Sequence, residues 1–334
     1  MKFLVILNPR AGRGRARRVM PVVRKTLSDL KVSFDLRLTR GPGDATRLAS
    51  EAVSSGYDVV VAAGGDGTVN EVANGIIGSN VILGVIPCGT GNDFSIGLDI
   101  PRDPAKACQL LMTGRIAHLD VGRVLDRFFV SSVGVGFDAT VARQANQSIP
   151  LLRGPVVYVL ALLRVLFTYK APRIKVKLDH KELSLESLLV AVTNAPTYGG
   201  GMKITPDAIM DDGMFEVCVI EKMRSLETLF ALPKVFTGTH VKVPKVKIYR
   251  ASEVMIEADR PIYLHMDGEI ASTSRFHFQI KKQALAVISG PGARIAFQDD
   301  AAWSGIGCGV TFDRPRGIAS TAARATILGR IGTL

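Results

Sequence analysis

Asp66 stands in the run Gly64-Gly65-Asp66-Gly67-Thr68-Val69-Asn70-Glu71-Val72, directly behind the apolar stretch Asp58-Val59-Val60-Val61-Ala62-Ala63. A β-rich run that ends in glycines and opens a helix presents backbone N–H groups to a phosphate. A carboxylate in such a turn meets phosphate only through a cation, so the stretch predicts nucleotide phosphate together with a metal. Two more turns share this composition. Asn8-Pro9-Arg10-Ala11-Gly12-Arg13-Gly14 permits close backbone approach to an anion and adds forked arginine donors. Pro87-Cys88-Gly89-Thr90-Gly91-Asn92-Asp93 adds hydroxyl and amide groups. Taken singly, each reads equally as a solvated turn. So does Thr39-Arg40-Gly41-Pro42-Gly43-Asp44, where Asp44 need do no more than cap a helix.

Elements that would carry these turns follow from periodicity. Strand-like runs cover 3–8, 32–38, 58–63 and 81–87, with helical patterns at about 16–30, 44–55 and 68–77 and another at 104–113. This alternation predicts a parallel sheet covered on both faces, with ligands at the carboxyl ends of its strands. Beyond Asp120, short β-like runs dominate, at 128–133, 173–178, 187–192, 214–220, 245–249, 253–257, 262–266 and 276–280. They predict an antiparallel β-sandwich, interrupted by helices near 155–168 and 225–235. The expected organisation is an α/β nucleotide domain over 1–120, a β-rich substrate domain over 121–288, and a poorly ordered extension over 289–334 with a short helix within 318–328.

The 334 residues are 47% hydrophobic and 22% charged, a globular composition, with a net charge of +12 that calls for an anionic partner. Aromatics at 6% argue against a single-stranded nucleic-acid groove. Cys88, Cys108, Cys218 and Cys308 share no paired spacing and read as reduced thiols of a cytosolic protein. The N-terminal apolar run is too short for a signal peptide and reads as a first strand. The apolar stretch 156–163, broken by Arg164, is too short to span a bilayer. A buried helix is the expected reading, with a lipid-contacting surface helix as the alternative. The five histidines show no ligand spacing; His265 is marginal to the cleft, two residues before Asp267.

The ordered series Asn8-Pro9…Gly12, Thr39…Asp44-Ala45, Gly64 to Val72 and Pro87…Gly89-Thr90-Gly91-Asn92-Asp93 resembles the diacylglycerol kinase catalytic domain, the family of bacterial soluble lipid kinases and, more distantly, of sphingosine and ceramide kinases. The resemblance runs on through Gly134-Val135-Gly136-Phe137-Asp138-Ala139, Asn194-Ala195…Gly199-Gly200-Gly201, Pro206-Asp207-Ala208…Asp211-Asp212-Gly213 and Asp267-Gly268-Glu269. It covers about residues 2–288. It implies a phosphofructokinase- and NAD kinase-like α/β domain followed by the β-sandwich. It implies ATP binding by Asn8, Pro9, Arg10, Ala11, Gly12, Thr39, Gly64, Gly65, Asp66, Gly67, Thr68, Val69, Asn70 and Thr90, with Asp66 acting through Mg²⁺. Asp212, with the backbone carbonyls of Ile209 and Met214, resembles a second, structural Mg²⁺ loop, although a hairpin turn explains the same residues. Glu269 is the implied proton acceptor, with Asp267 as base or network partner.

The expected activity is therefore transfer of the γ-phosphoryl group of ATP to the hydroxyl of diacylglycerol or a similar long-chain lipid. The protein is expected to be cytoplasmic and to reach this lipid peripherally, at an anionic membrane surface, with the oligomeric state open and a homodimer included. Two other readings remain: an NAD kinase-like enzyme with a soluble substrate, and a non-catalytic nucleotide- or lipid-binding regulator.

Overall fold

The computed structural model describes residues 1–147, 155–266 and 269–296. Its first part alternates strands and helices in the order β1 (Lys2–Leu7), α1 (Ala11–Asp29), β2 (Ser33–Leu38), α2 (Asp44–Ser54), β3 (Val59–Gly64), α3 (Asp66–Ile76) and β4 (Ile82–Pro87). The short α4 (Asp93–Gly97) and α5 (Pro104–Thr113) follow. Every residue of β3 is buried, as expected of a strand covered on both faces, and β2–β1–β3–β4 pair in parallel. Pro104 occupies the first turn of α5, where Asp103 accepts the Lys106 N–H at 2.9 Å.

The second part comprises β5 (Arg115–Val124), β6 (Arg127–Phe129), β7 (Ser132–Gly136), α6 (Phe137–Gln147), α7 (Pro155–Thr168), β8 (Arg173–Leu178), β9 (Lys181–Thr193), β10 (Phe215–Glu221), α8 (Ser225–Thr237), β11 (Val246–Ala251), β12 (Glu253–Met266) and β13 (Glu269–Ser289). Strands β7 to β13 pair antiparallel wherever they meet one another. Phe129 stacks on Phe215 with centroids 5.7 Å apart and meets Phe278 edge-on, anchoring one face. Helices α6, α7 and α8 cover another, through Val141, Val165, Leu166 and Val235 against Leu189, Cys218 and Ile220.

Three differences from the sequence reading have physical causes. The expected strands 253–257 and 262–266 are one strand, because β12 continues through an irregularity in its pairing with β13. Strand β13 runs for 21 residues, pairs with β5 and reaches the first part at Val287, opposite Leu83 of β4. Helix α6 was not expected; a glycine-rich strand, Gly134-Val135-Gly136, hides its start. The chain also stays engaged past residue 288: Arg294 N–H donates to the Gly97 carbonyl and Ala296 N–H to Asp211. Residues 297–334, including the expected helix at 318–328 and Cys308, lie outside the described residues. Burial raises the Cys88 thiol to about 11 and those of Cys108 and Cys218 to about 12, fitting inert reduced thiols.

Candidate functional site

Three of the predicted turns meet at the carboxyl ends of β1, β3 and β4. Gly12 has φ +56°, and a Cβ there would lie 2.1 Å from the Cys88 carbonyl oxygen. A Cβ on Gly89 would lie 2.5 Å from the Gly65 Cα. Backbone therefore touches backbone, and only glycine allows it. Asn8 ties the first turn to the second, its Nδ2 donating to Thr68 Oγ1 at 3.0 Å while its Oδ1 accepts the Arg10 N–H. Thr39 joins the same edge through its N–H to the Leu7 carbonyl. Thr90 is exposed at the tip of the third turn, whereas Val69 faces the core and its N–H bonds to Gly65. Val69 is scaffold.

Asp66 has a structural task in the turn that follows β4. Its carboxylate accepts the Asn92 N–H at 2.8 Å and the Phe94 N–H at 3.1 Å, fixing the third turn. Burial, and then the charge of Asp93, hold its carboxyl above the ordinary range, against the two N–H donors. Asp93, which the sequence reading did not single out, accepts the N–H groups of Gly200 and Gly201, each at 2.7 Å. Gly199, Gly200 and Gly201 have φ of +61°, +95° and +99°, so the triple glycine is what lets that loop turn its amides to Asp93.

Glu269, the predicted proton acceptor, arrives from β13. It joins Pro42, Gly67, Asn70, Glu71, Arg127 and Met266 around a cleft of about 220 Å³. Arg127, also missed in the sequence, forms an ion pair with Glu269. The Asn70 Oδ1 is buried with no partner and marks an unmet polar position in the cleft wall. Asp267 lies outside the described residues. A larger hollow of about 410 Å³ lies along β8, β9 and β12, but none of the glycine-turn residues lines it.

The loop expected to hold a second magnesium is arranged otherwise. Arg250 forms ion pairs with Asp212 and, at 3.0 Å, with Glu216, and Met214 N–H donates to Asp212. The carboxylate expected to bind a cation thus already carries a guanidinium. Nearby, buried Asp120 accepts N–H groups from Gly213 and Gln283, and burial holds its carboxyl above the ordinary range.

A second polar cluster lies behind the Gly199–Gly201 loop. Tyr198 donates its hydroxyl to Asp138, whose Oδ1 is buried without a partner, as is the Tyr169 hydroxyl. Burial raises the Asp138 carboxyl and lowers the His265 imidazole, each opposed by the charge of the other. His265 is therefore part of this cluster.

Comparison with known proteins agrees with this architecture. Residues 2–124 match the diacylglycerol kinase catalytic domain, and residues 131–289 match the YegS C-terminal NAD kinase beta sandwich-like domain. A diacylglycerol kinase of Staphylococcus saprophyticus subsp. saprophyticus is 31% identical over 287 residues, covering 85% of this chain and 94% of the relative. One from Bacillus subtilis (strain 168) is 30% identical over 268 residues, covering 79% and 88%. A diacylglycerol kinase crystal structure from Bacillus anthracis str. Sterne superimposes with a TM-score of 0.68 at 22% identity, over 87% of this chain and 98% of that one, and shares the fold.

Proposed function

The chain belongs to the diacylglycerol kinase family and is a kinase of that family, and from this premise we propose that it transfers the γ-phosphoryl group of ATP to the hydroxyl of diacylglycerol or a similar long-chain lipid, with Mg²⁺. One observation carries the reading. Glu269 reaches the cleft beside Gly67 and Asn70 from a strand some two hundred residues downstream. A carboxylate that can accept an alcohol proton then faces a turn built for phosphate. Phosphoryl transfer needs in-line positioning, charge neutralisation and such an acceptor, and little else.

The residues present fit a magnesium nucleotide. The close glycine contacts leave no room for side chains between the turns, the buried Asn70 Oδ1 lacks a partner, and the Asp66 carboxylate keeps lone pairs beyond its two N–H bonds. The Asp66 and Asn70 oxygens are of the ligand type that hard cations prefer. Asp66 would hold Mg²⁺, which would neutralise the phosphates. The turns at Asn8–Gly12, Gly64–Asn70 and Thr90 would bind and orient the nucleotide. Glu269, held in place by Arg127, would take the proton from the lipid hydroxyl, with Asp267 as its alternative. At Asp212 the residues do not fit a second ion while Arg250 is in place, and no step is routed there.

Among the described residues no helix is long and apolar enough to cross a membrane. With a net charge of +12, the protein would meet its lipid at an anionic surface as a peripheral enzyme. Purified protein incubated with radiolabelled ATP, Mg²⁺ and a panel of lipids and NAD is expected to give a labelled, organic-soluble lipid phosphate. Label in NAD instead would replace this reading with a soluble-substrate kinase. No label in any acceptor would leave a binding protein.

A further inference from the structure

Large apolar side chains are exposed unevenly over this molecule. Among the described residues the five most exposed are Phe230 at 74%, Phe167 at 65%, Leu226 at 63%, Phe236 at 57% and Leu160 at 49%, and all five lie on α7 or α8. The sequence reading expected the apolar stretch 156–163 to form a buried helix, with a lipid-contacting surface helix as the alternative, and from residue 160 on the helix is buried on one side only. Ala161, Val165 and Leu166 pack inward, while Leu160, Leu163 and Phe167 form a second stripe facing out. Helix α8 repeats the pattern, with Thr228, Ala231 and Val235 inside and the Leu226, Phe230 and Phe236 stripe outside. The stripes meet where Ser225 Oγ donates to the Leu166 carbonyl at 2.9 Å, which sets Phe167 and Leu226 at the junction.

An ordinary surface helix is polar on its outer face. Here the outer face is apolar and its charge is one-sided. Segments 160–170 and 222–242 contain Arg164, Lys170, Lys222, Arg224, Lys234 and Lys242, all exposed, against Glu227 alone, and of these cations Lys222 pairs with Glu186. Glu227 is already occupied, accepting the Arg224 N–H and pairing with Lys245. Exposed phenylalanine and leucine ringed by lysine and arginine match the boundary of an anionic bilayer, apolar below and negative above. A second copy of this chain would bring the same positive charge against itself.

We propose that the outer face of α7 and α8 docks on anionic membranes, inserting Phe167, Phe230 and Phe236 among the acyl chains. The choice of a bilayer as occupant rests on the reading of the protein as a lipid kinase. The face also adjoins the site. At the end of α7, Tyr169 packs edge-on against Phe137, and the Asp138–Tyr198 pair leads from there to the Gly200 and Gly201 amides on Asp93. Docking would thus place the bilayer against the part of the substrate half nearest to the nucleotide turns.

The test is flotation of the full chain with phosphatidylcholine vesicles, with and without phosphatidylglycerol. The parent is expected to bind the anionic vesicles, and to retain part of that binding at 1 M salt, where exposed charges are screened. A Phe167→Ser/Phe230→Ser variant, checked for unchanged thermal melting, is expected to lose about tenfold in partition for each ring removed. Lys234→Glu/Lys242→Glu is expected to weaken only the salt-sensitive part. In a Trp303→Phe background, F230W emission should shift to the blue and be quenched by brominated acyl chains. Equal partition of the parent and the double serine variant, or an unshifted F230W, overturns the proposal. So does a parent dimer that the serine pair converts to monomer without any vesicle binding. Because partition needs no phosphoryl transfer, a protein that docks by this face yet phosphorylates no lipid would refute the proposed activity and leave the docking intact.

Discussion

Asp93 is the side chain through which the nucleotide turns hold the substrate half of the molecule. It is 5% exposed and accepts two backbone N–H groups at 2.7 Å, from Gly200 and Gly201. Asp93→Ala strands both amides. A hydrogen bond to a charged group contributes about 1.5–3 kcal/mol, so the pair is worth about 3–6 kcal/mol if the amides stay dry. The glycine loop can admit water, so the lower end, about 3 kcal/mol, is the expected loss. With a urea slope of about 3 kcal/mol per molar, the midpoint falls by about 1 M. Asp93→Asn keeps one acceptor and should lose about half as much. Loosening this latch also frees the loop beside Gly91, whose added Cβ would lie 3.1 Å from both Asp66 and Asp93 and 3.2 Å from the Gly200 Cα. Kinase activity should therefore fall together with stability, through a lower kcat as well as a higher KM for ATP. An Asp93→Ala protein with the parental urea midpoint and the parental KM refutes the latch.

Three further outcomes follow from the same geometry. Glu269 is 56% exposed, so Glu269→Gln should melt like the parent while kcat drops by about 10²–10⁴-fold, the usual contribution of a general base; a retained kcat moves the proton acceptor to Asp267. Asp138 has its carboxyl held above its ordinary 3.8 by burial, which disfavours the ionised form in the fold. Parent stability should therefore decline as pH rises from about 3.8 through the raised value, and Asp138→Asn should remove that decline, so parallel denaturation curves for the two proteins across this range would count against it. Arg250→Ala uncovers Asp212 and Glu216, and millimolar Mg²⁺ should then raise the melting temperature of the variant but not of the parent; a parental rise of equal size restores the second metal site.

What the sequence made legible was local. The glycines of 8–14, 64–67 and 89–91 announce close backbone approach because no other residue permits it, and in the structure those turns do touch. The α7 segment announced its helix with matching bounds, 155–168. Arg127, Asp93 and the continuity of β13 were not legible, because each depends on partners that only the fold brings near: 142 residues separate Arg127 from Glu269, and 107 separate Asp93 from Gly200. Side-chain type was also a poor guide to the task of a carboxylate. Asp66 reads as a metal ligand and spends part of its capacity on amides; Asp212 reads as another and is held by Arg250.

The buried Asp93 and the half-buried Asp66 beside the phosphate turns carry a last consequence. A single point, the Cβ position built on Gly91, lies 3.1 Å from an oxygen of Asp66 and 3.1 Å from one of Asp93, so those oxygens are no more than about 6 Å apart. At an effective dielectric of about 20, two unit charges at that distance repel by about 3 kcal/mol. Four backbone N–H groups, two on each carboxylate, offset part of this, while burial, and then the charge of Asp93, hold the Asp66 carboxyl above its ordinary range. A nucleotide alone brings more negative charge to the same corner. A divalent cation reverses the sign, so the site should discriminate sharply between ATP with and without magnesium. Calorimetric titration in EDTA is expected to show ATP binding at least about tenfold weaker than with Mg²⁺, since about 1.4 kcal/mol of unrelieved repulsion suffices for that factor. In Asp66→Asn one of the two charges is gone, and the difference between the two conditions should shrink even as activity is lost. Equal affinities in EDTA and in magnesium would mean that the carboxylates do not act on the phosphates at all, and that Asp66 serves only to hold the third turn.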